Sequence, residues 1–265
     1  MKNSNHLSVF HHHVIDFAKQ RDIPIEKALA ETRAMGFDGL VTELALLSDG
    51  DRFRRLLADN GLRILSIFAY IDFVHDAPQA CARKTEEFLR AAETFGAGNV
   101  LVIPGVFREG DDEDAGLDRI CEGLTAVCRQ AAPLEIDVTI EDFGIGNAPN
   151  GTISGCARIL DRVPGLKFTF DTGNFTCFGE DPHDAYPHFR DRIAFVHLKD
   201  HPLGPYGPNP NGAIPVGDGA LDLGRLIRRM LDDGYAGDFA AEHFGLVDQE
   251  TAMRHSASFC RRLLA

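Results

Sequence analysis

No stretch of the sequence approaches the roughly 18 consecutive apolar residues of a membrane span. The opening residues, MKNSNHLSVFHHH, lack the extended apolar core of a secretory signal. None of the six cysteines (Cys81, Cys121, Cys128, Cys156, Cys177 and Cys260) forms a CxxC pair, and their scatter matches neither a zinc finger nor a disulfide framework. Cys121 and Cys128 fall on one face of an expected helix and read as packing residues, so reduced thiols and a cytoplasmic location are expected. There is no strongly basic block, and the net charge of −13 argues against a nucleic-acid partner, which would be held by Lys and Arg on phosphates. No GxGxxG follows the first expected strand, which argues against a dinucleotide-binding sheet. No low-complexity tract or linker-like shift divides the chain.

What is present is an ordinary globular composition, 44% hydrophobic and 25% charged, over 265 residues. Strand candidates recur at 7–10, 39–44, 63–69, 99–105, 137–143, 166–172, 193–199 and 238–244. Amphipathic stretches separate them, such as PIEKALAETRAMG, APQACARKTEEFLRAAETFG and ALDLGRLIRRMLDDG, several opening on Pro, Asp or Ser and closing on Gly. A last helix is expected at about 247–264. Eight strands alternating with eight helices point to an α/β fold, a (β/α)8 TIM barrel occupying 1–265 as one domain. The Pro- and Gly-rich segment 201–219 follows the seventh strand, which in a barrel puts it on the C-terminal face.

In such a barrel the reactive groups come from the C-terminal ends of several strands. Glu141 in TIEDF, Asp171 in FTFDTGNF, His197 in FVHLKD and Glu242 in AAEHF all occupy that position. Side chains alternate across a strand, so Thr139 with Glu141, Thr169 with Asp171, Phe195 with His197 and Ala240 with Glu242 can all point inward together. Each residue alone has an ordinary structural explanation, as a helix cap or a satisfied core histidine. Four in succession do not, because three converging carboxylates repel one another and are costly to bury unpaired. One divalent metal ion resolves this. The oxygen-rich, one-imidazole donor set suits Mn2+ first, with Mg2+, Co2+ or Zn2+ as alternatives.

The motifs IE at 140–141, DTGN at 171–174, VHLKD at 196–200, VGDGALD at 216–222 and the glutamate at 242 resemble those of the xylose isomerase-like sugar phosphate isomerase/epimerase superfamily, over essentially the whole chain. The resemblance implies a metal-dependent isomerase or epimerase of a small sugar or keto-sugar. Glu141, Asp171, His197 and Glu242 would be the metal ligands, and Glu141 and Glu242 the catalytic acid and base that move a proton through an enediolate. The chain departs from the ketose epimerases at Asn174, where they carry His, and at Leu203, where they carry a substrate-binding Arg. Homo-oligomers are frequent among such relatives.

Lys199, two residues beyond His197, should face inward and hold a substrate oxygen or form a rim salt bridge. Asn174, Glu43 and His12 complete the candidate substrate contacts, although the cluster His11 to His13 reads most simply as a solvated loop. Tyr70, Asp72 and His75 could form a pocket wall or lid. Asp142, Asp200 and His243 fall on the outward parity and should be structural. A metal-dependent dehydratase of the inosose or 3-dehydroshikimate type is the alternative function, and it would need Lys199 or a histidine near the mouth to protonate the leaving group. An apurinic endonuclease would need further histidines where this chain has Asn174 and the stretch NPNGA. A non-catalytic sugar binder would have no use for four ligand positions.

Overall fold

The computed structural model describes residues 5–47, 50–202, 214–244 and 248–265. Eight parallel strands pair in sequence order and close on themselves: β1 (Leu7–Phe10), β2 (Gly39–Glu43), β3 (Arg63–Tyr70), β4 (Asn99–Ile103), β5 (Asp137–Glu141), β6 (Lys167–Asp171), β7 (Ile193–Leu198) and β8 (Asp238–Ala241). Around them lie α1 (His11–Gln20), α2 (Ile25–Ala34), α3 (Gly50–Asp59), α4 (Pro78–Phe95), α5 (Glu113–Ala131), α6 (Ile153–Arg162), α7 (Pro182–Phe189), α8 (Leu223–Asp232) and α9 (Gln249–Leu264). The expected (β/α)8 barrel is therefore present, with one α-helix more than expected among the described residues, because α1 and α2 both lie between β1 and β2. Every expected strand exists, but β2, β4, β5, β6, β7 and β8 stop one to three residues before the expected C-terminal end.

The expected solvated loop at His11 to His13 is the clearest correction. These residues start α1, and His11 and His13 are buried. His11 stacks on Phe53 and its Nδ1 lies 3.0 Å from Thr42 Oγ1, while His13 Nε2 accepts the backbone N–H of His243. Tertiary partners, invisible in a run of three polar residues, make the difference.

Local chemistry sets the helix ends. Asp112, Thr152, Asp181, Asp222 and Asp248 each accept a backbone N–H in the first turn of α5 to α9. Pro78 opens α4, and Gly96 closes it at φ 65°, a conformation that costs glycine little. Helix α8 buries Leu223, Leu226, Ile227 and Met230, one stripe at helical spacing against the sheet. At the barrel base, Asp38 accepts from Leu7 N (3.0 Å) and Arg33 (2.8 Å) and binds Arg261, which also reaches Gly36 O, so α9 is tied to the start of β2.

Two apolar cores result. The larger fills the space between strands and helices. The smaller lies inside the barrel, where Phe10, Val41, Phe68, Leu101, Ile103, Phe195 and Ala240 meet. Deeper still, a polar belt joins Ser66 to Asn99 (2.7 Å), Asn99 to Thr139 (3.5 Å) and Thr139 to Thr169 (2.8 Å). Strand alternation thus stacks polar, apolar and polar levels inside one barrel. Among the described residues, no helix is long and apolar enough to cross a membrane.

Candidate active site

The uppermost inward level carries the chemistry. Glu141 ends β5, Asp171 ends β6, His197 is the last inward residue of β7, and Glu242 follows β8. Pairing places Asp171 directly beside His197 and Glu141 beside Thr169, while His197 lies beside Ala240. The parity expected from the sequence is therefore realised, and Glu141, His197 and Glu242 line a cavity of about 320 Å3 at the C-terminal face. Phe10, Phe68, Tyr70 and Phe143 form much of its apolar wall.

Glu141, Asp171 and His197 each offer one ligand atom, and these atoms all lie within 4.8 Å of one another. His197 Nδ1 is 3.0 Å from Glu141 Oε2 and 3.7 Å from Glu242 Oε2. One oxygen of Asp171, Oδ1, accepts the backbone N–H groups of Gly173 (2.7 Å) and Asn174 (2.9 Å). Its other oxygen, Oδ2, is buried and receives no hydrogen bond, and the same is true of His197 Nε2. Buried groups of this kind are normally partnered. Two buried ligand atoms without a hydrogen bond, beside a second carboxylate, fit a divalent cation.

Glu242 stands next to this trio with a different partner. Lys199 Nζ lies 2.6 Å from Glu242 Oε1, 3.5 Å from Asp171 Oδ2 and donates to Asn174 Oδ1 at 2.9 Å. Lys199 is thus neither free in the pocket nor on the rim. Burial works against its charge, yet Asp171, Glu242 and Glu141 together hold the ammonium well above the usual lysine range. Burial pushes the Glu242 carboxyl up to about 7, with Lys199 pulling the other way. For His197 burial disfavours the charged ring, but the hydrogen bond and charge of Glu141, with Glu242 and Asp171, raise it above its ordinary value.

Supporting groups hold this level in place. Asp171 N donates to Asp142 Oδ1 at 2.9 Å, and burial followed by the charge of Asp171 pushes Asp142 well above the usual carboxylate range. Asp200 accepts from the backbone of His201, Gly217, Gly219 and Leu221, pinning the described end of the loop after β7. Both residues are structural, as their parity implies. A Cβ on Gly173 would meet Lys199 Cγ at 2.7 Å and His201 Nε2 at 2.9 Å, so this glycine lets those two side chains pass.

The remaining sequence candidates separate. Asn174 lines the cavity and serves Lys199. His12 and Glu43 face each other at 3.4 Å outside the cavity lining, with the His12 ring 6.1 Å from that of Phe68. Tyr70 is a wall residue, whereas His75 bridges Asp72 and Asp111, each at 2.9 Å. Leu203 and the NPNGA stretch lie outside the described residues. Sequence reading missed His201, which is buried, lines the cavity and places Nε2 3.1 Å from Gly173 O. Its position four residues past His197, beyond the strand, gave no parity signal. Phe143 and Phe244 were missed because each looked like the end of a strand.

The chain is 24% identical over 253 residues to the putative L-ribulose-5-phosphate 3-epimerase SgbU of Escherichia coli K12, covering 86% of this chain and 87% of that protein. It is 23% identical over 246 residues to an inosose dehydratase of Lacticaseibacillus casei, covering 82% and 81%. Its fold matches a xylose isomerase-like TIM barrel protein of Mycobacterium smegmatis in complex with magnesium, at TM-score 0.73 and 23% identity over 92% of this chain and 90% of that one. The profile of the family described as xylose isomerase-like TIM barrel matches residues 29–263, and the chain belongs to that family.

Proposed function

We propose that the protein is a divalent-metal-dependent isomerase or epimerase of a small keto-sugar. The observation that supports this most directly is the pair Glu141 and Glu242, two buried carboxylates that line one cavity and both approach His197, at 3.0 and 3.7 Å. Glu141, Asp171 and His197 would hold the ion, with Glu242 beside them as the fourth group; Mn2+ is our first choice, and Mg2+ is the ion in the Mycobacterium smegmatis protein. When bound, the ion supplies a Lewis acid that acidifies a C–H next to a carbonyl.

The chain's own residues do the rest. One glutamate takes the proton and the other returns it, on the opposite face for epimerisation or at the adjacent carbon for isomerisation. Burial that pushes Glu242 to about 7 suits a carboxyl that must both accept and release a proton near neutral pH. Lys199 and Asn174 orient Glu242 and Asp171, and Phe10, Phe68 and Phe143 wall the cavity beside them.

A dehydratase is the second reading, favoured by one specific feature. His201 lies on the cavity lining, supplying the histidine that protonation of a departing hydroxyl would need. The likeness to inosose dehydratase points the same way.

Protein loaded with Mn2+ and incubated in D2O with a panel of ketoses and inososes should incorporate deuterium at a carbon, read by NMR. Exchange without loss of water supports the isomerase or epimerase, whereas a growing enone absorbance supports the dehydratase. No exchange and no absorbance across the panel would remove both.

A further inference from the structure

The cavity is chemically divided across the barrel. Among the described residues, its charged groups, and all its hydrogen-bonding side chains except the Tyr70 hydroxyl, come from β5 to β8 and the turns that follow them, while β1, β3 and β4 contribute Phe10, Phe68, Tyr70, Leu101 and Ile103. A free sugar presents hydroxyls on nearly every carbon, and those turned to the second half would find the Tyr70 hydroxyl as their one side-chain partner on the described lining.

Among the described residues, the large apolar side chains that stand exposed are Tyr70 (48%), Ile145 (54%) and Phe244 (39%), and all three line this same cavity. Two of them continue the inner wall ring to ring, Phe244 lying 5.3 Å from Phe10 and Tyr70 6.4 Å from Phe68. Concentration of exposed apolar surface at one mouth marks a surface that is covered when the protein works.

Cations show the complementary pattern. Among the described residues, Lys199 is the one Lys or Arg on the lining, and its ammonium is already taken by Glu242, Asp171 and Asn174. The sequences of 203–213 and 245–247 contain no Lys or Arg either. A phosphate ester is normally held by charge-assisted bonds from such residues, and the described lining offers no free one.

We infer that the substrate is an oxidised sugar or cyclic polyol bearing an apolar substituent of about aryl size and no phosphate, its ring deep in the cavity beside Glu141 and Glu242 and its substituent at the mouth against Tyr70, Ile145 and Phe244. This rests on the metal-dependent proton transfer proposed above and narrows its substrate class. Selection is then made at the mouth by residues that take no part in the proton transfer.

The test is calorimetric binding to the Mn2+-loaded protein of three matched probes: 3-keto-D-glucose, its phenyl β-glycoside and its 6-phosphate. The phenyl glycoside should bind about tenfold more tightly than the parent, and the phosphate no more tightly. The double variant Tyr70→Ser, Phe244→Ser should reduce the phenyl preference to about twofold, and Ile145→Ser, at a more exposed position, should reduce it by a smaller factor. Equal affinity of phenyl and parent compounds, tightest binding of the phosphate, or a preference untouched by the rim substitutions would overturn the inference. So would light scattering that shows a dimer in the natural protein and a monomer in the double variant, since the rim would then be covered by a second copy. Deuterium uptake by the parent ketone is scored separately. A phenyl preference without uptake keeps the apolar subsite and removes the proposed reaction, whereas uptake without the preference removes the subsite and keeps the reaction.

Discussion

Lys199 Nζ meets Glu242 Oε1 at 2.6 Å inside the cavity, with Asp171 Oδ2 3.5 Å away. This ammonium balances two carboxylates that would otherwise face each other uncompensated. Lys199→Met should therefore cost about 3–5 kcal/mol in the metal-free protein, the usual penalty for removing one member of a buried ion pair. Added Mn2+ replaces the lost charge, so it should raise the thermal midpoint of the variant more than that of the natural protein. Equal shifts in the two proteins, read by scanning fluorimetry, would show that Lys199 and the ion do not share these carboxylates.

Metal affinity should depend on pH through His197. Its folded pKa lies above 6.5, so the stability linked to its protonation is present at acid pH and is lost as pH rises through the folded value. A metal ligand must be the neutral ring, so binding runs in the opposite sense. Below the folded pKa, Mn2+ affinity should fall about tenfold per pH unit, and above it should level off. Calorimetry at three pH values checks this. Asp171→Asn should weaken Mn2+ by at least about 100-fold at any of them.

Gly173→Ala isolates a single contact. The backbone there, at φ −109° and ψ −29°, is one that alanine adopts freely. The new methyl would nonetheless press on Lys199 Cγ and His201 Nε2. Turnover should drop about 100-fold through displacement of these side chains. The urea midpoint should move far less, and a parallel collapse of stability would refute the contact account.

Asp38 governs acid sensitivity far from the pocket. Burial opposes its ionisation, but the Leu7 N–H and the two arginines, Arg261 and Arg33, hold it below its ordinary 3.8. Its contribution is therefore present above pH 3.8 and lost as pH falls through the folded value. Asp38→Asn should lower stability by about 1–2 kcal/mol at pH 7, with the two proteins converging in strong acid. Urea unfolding across that range measures it.

The barrel was legible because strand and helix periods alternate cleanly, and the four strand-end groups because alternation places Glu141, Asp171, His197 and Glu242 on one side. What escaped was set by contacts between distant segments. His11 and His13 look like loop residues until Thr42, Phe53 and His243 are beside them. Lys199 could be placed facing inward but not paired, since its partners lie 25 to 43 residues away. His201 follows the strand, where the two-residue rhythm no longer holds.

The Ser66, Asn99, Thr139 and Thr169 belt beneath the site is a further consequence of that rhythm. Short hydroxyl and amide groups bonded to one another cannot swell or shrink without losing a partner, so the base of the cup is fixed in size. Diversification of what the enzyme accepts must then proceed from the lip downward, leaving the chemistry anchored on an unchanging pedestal.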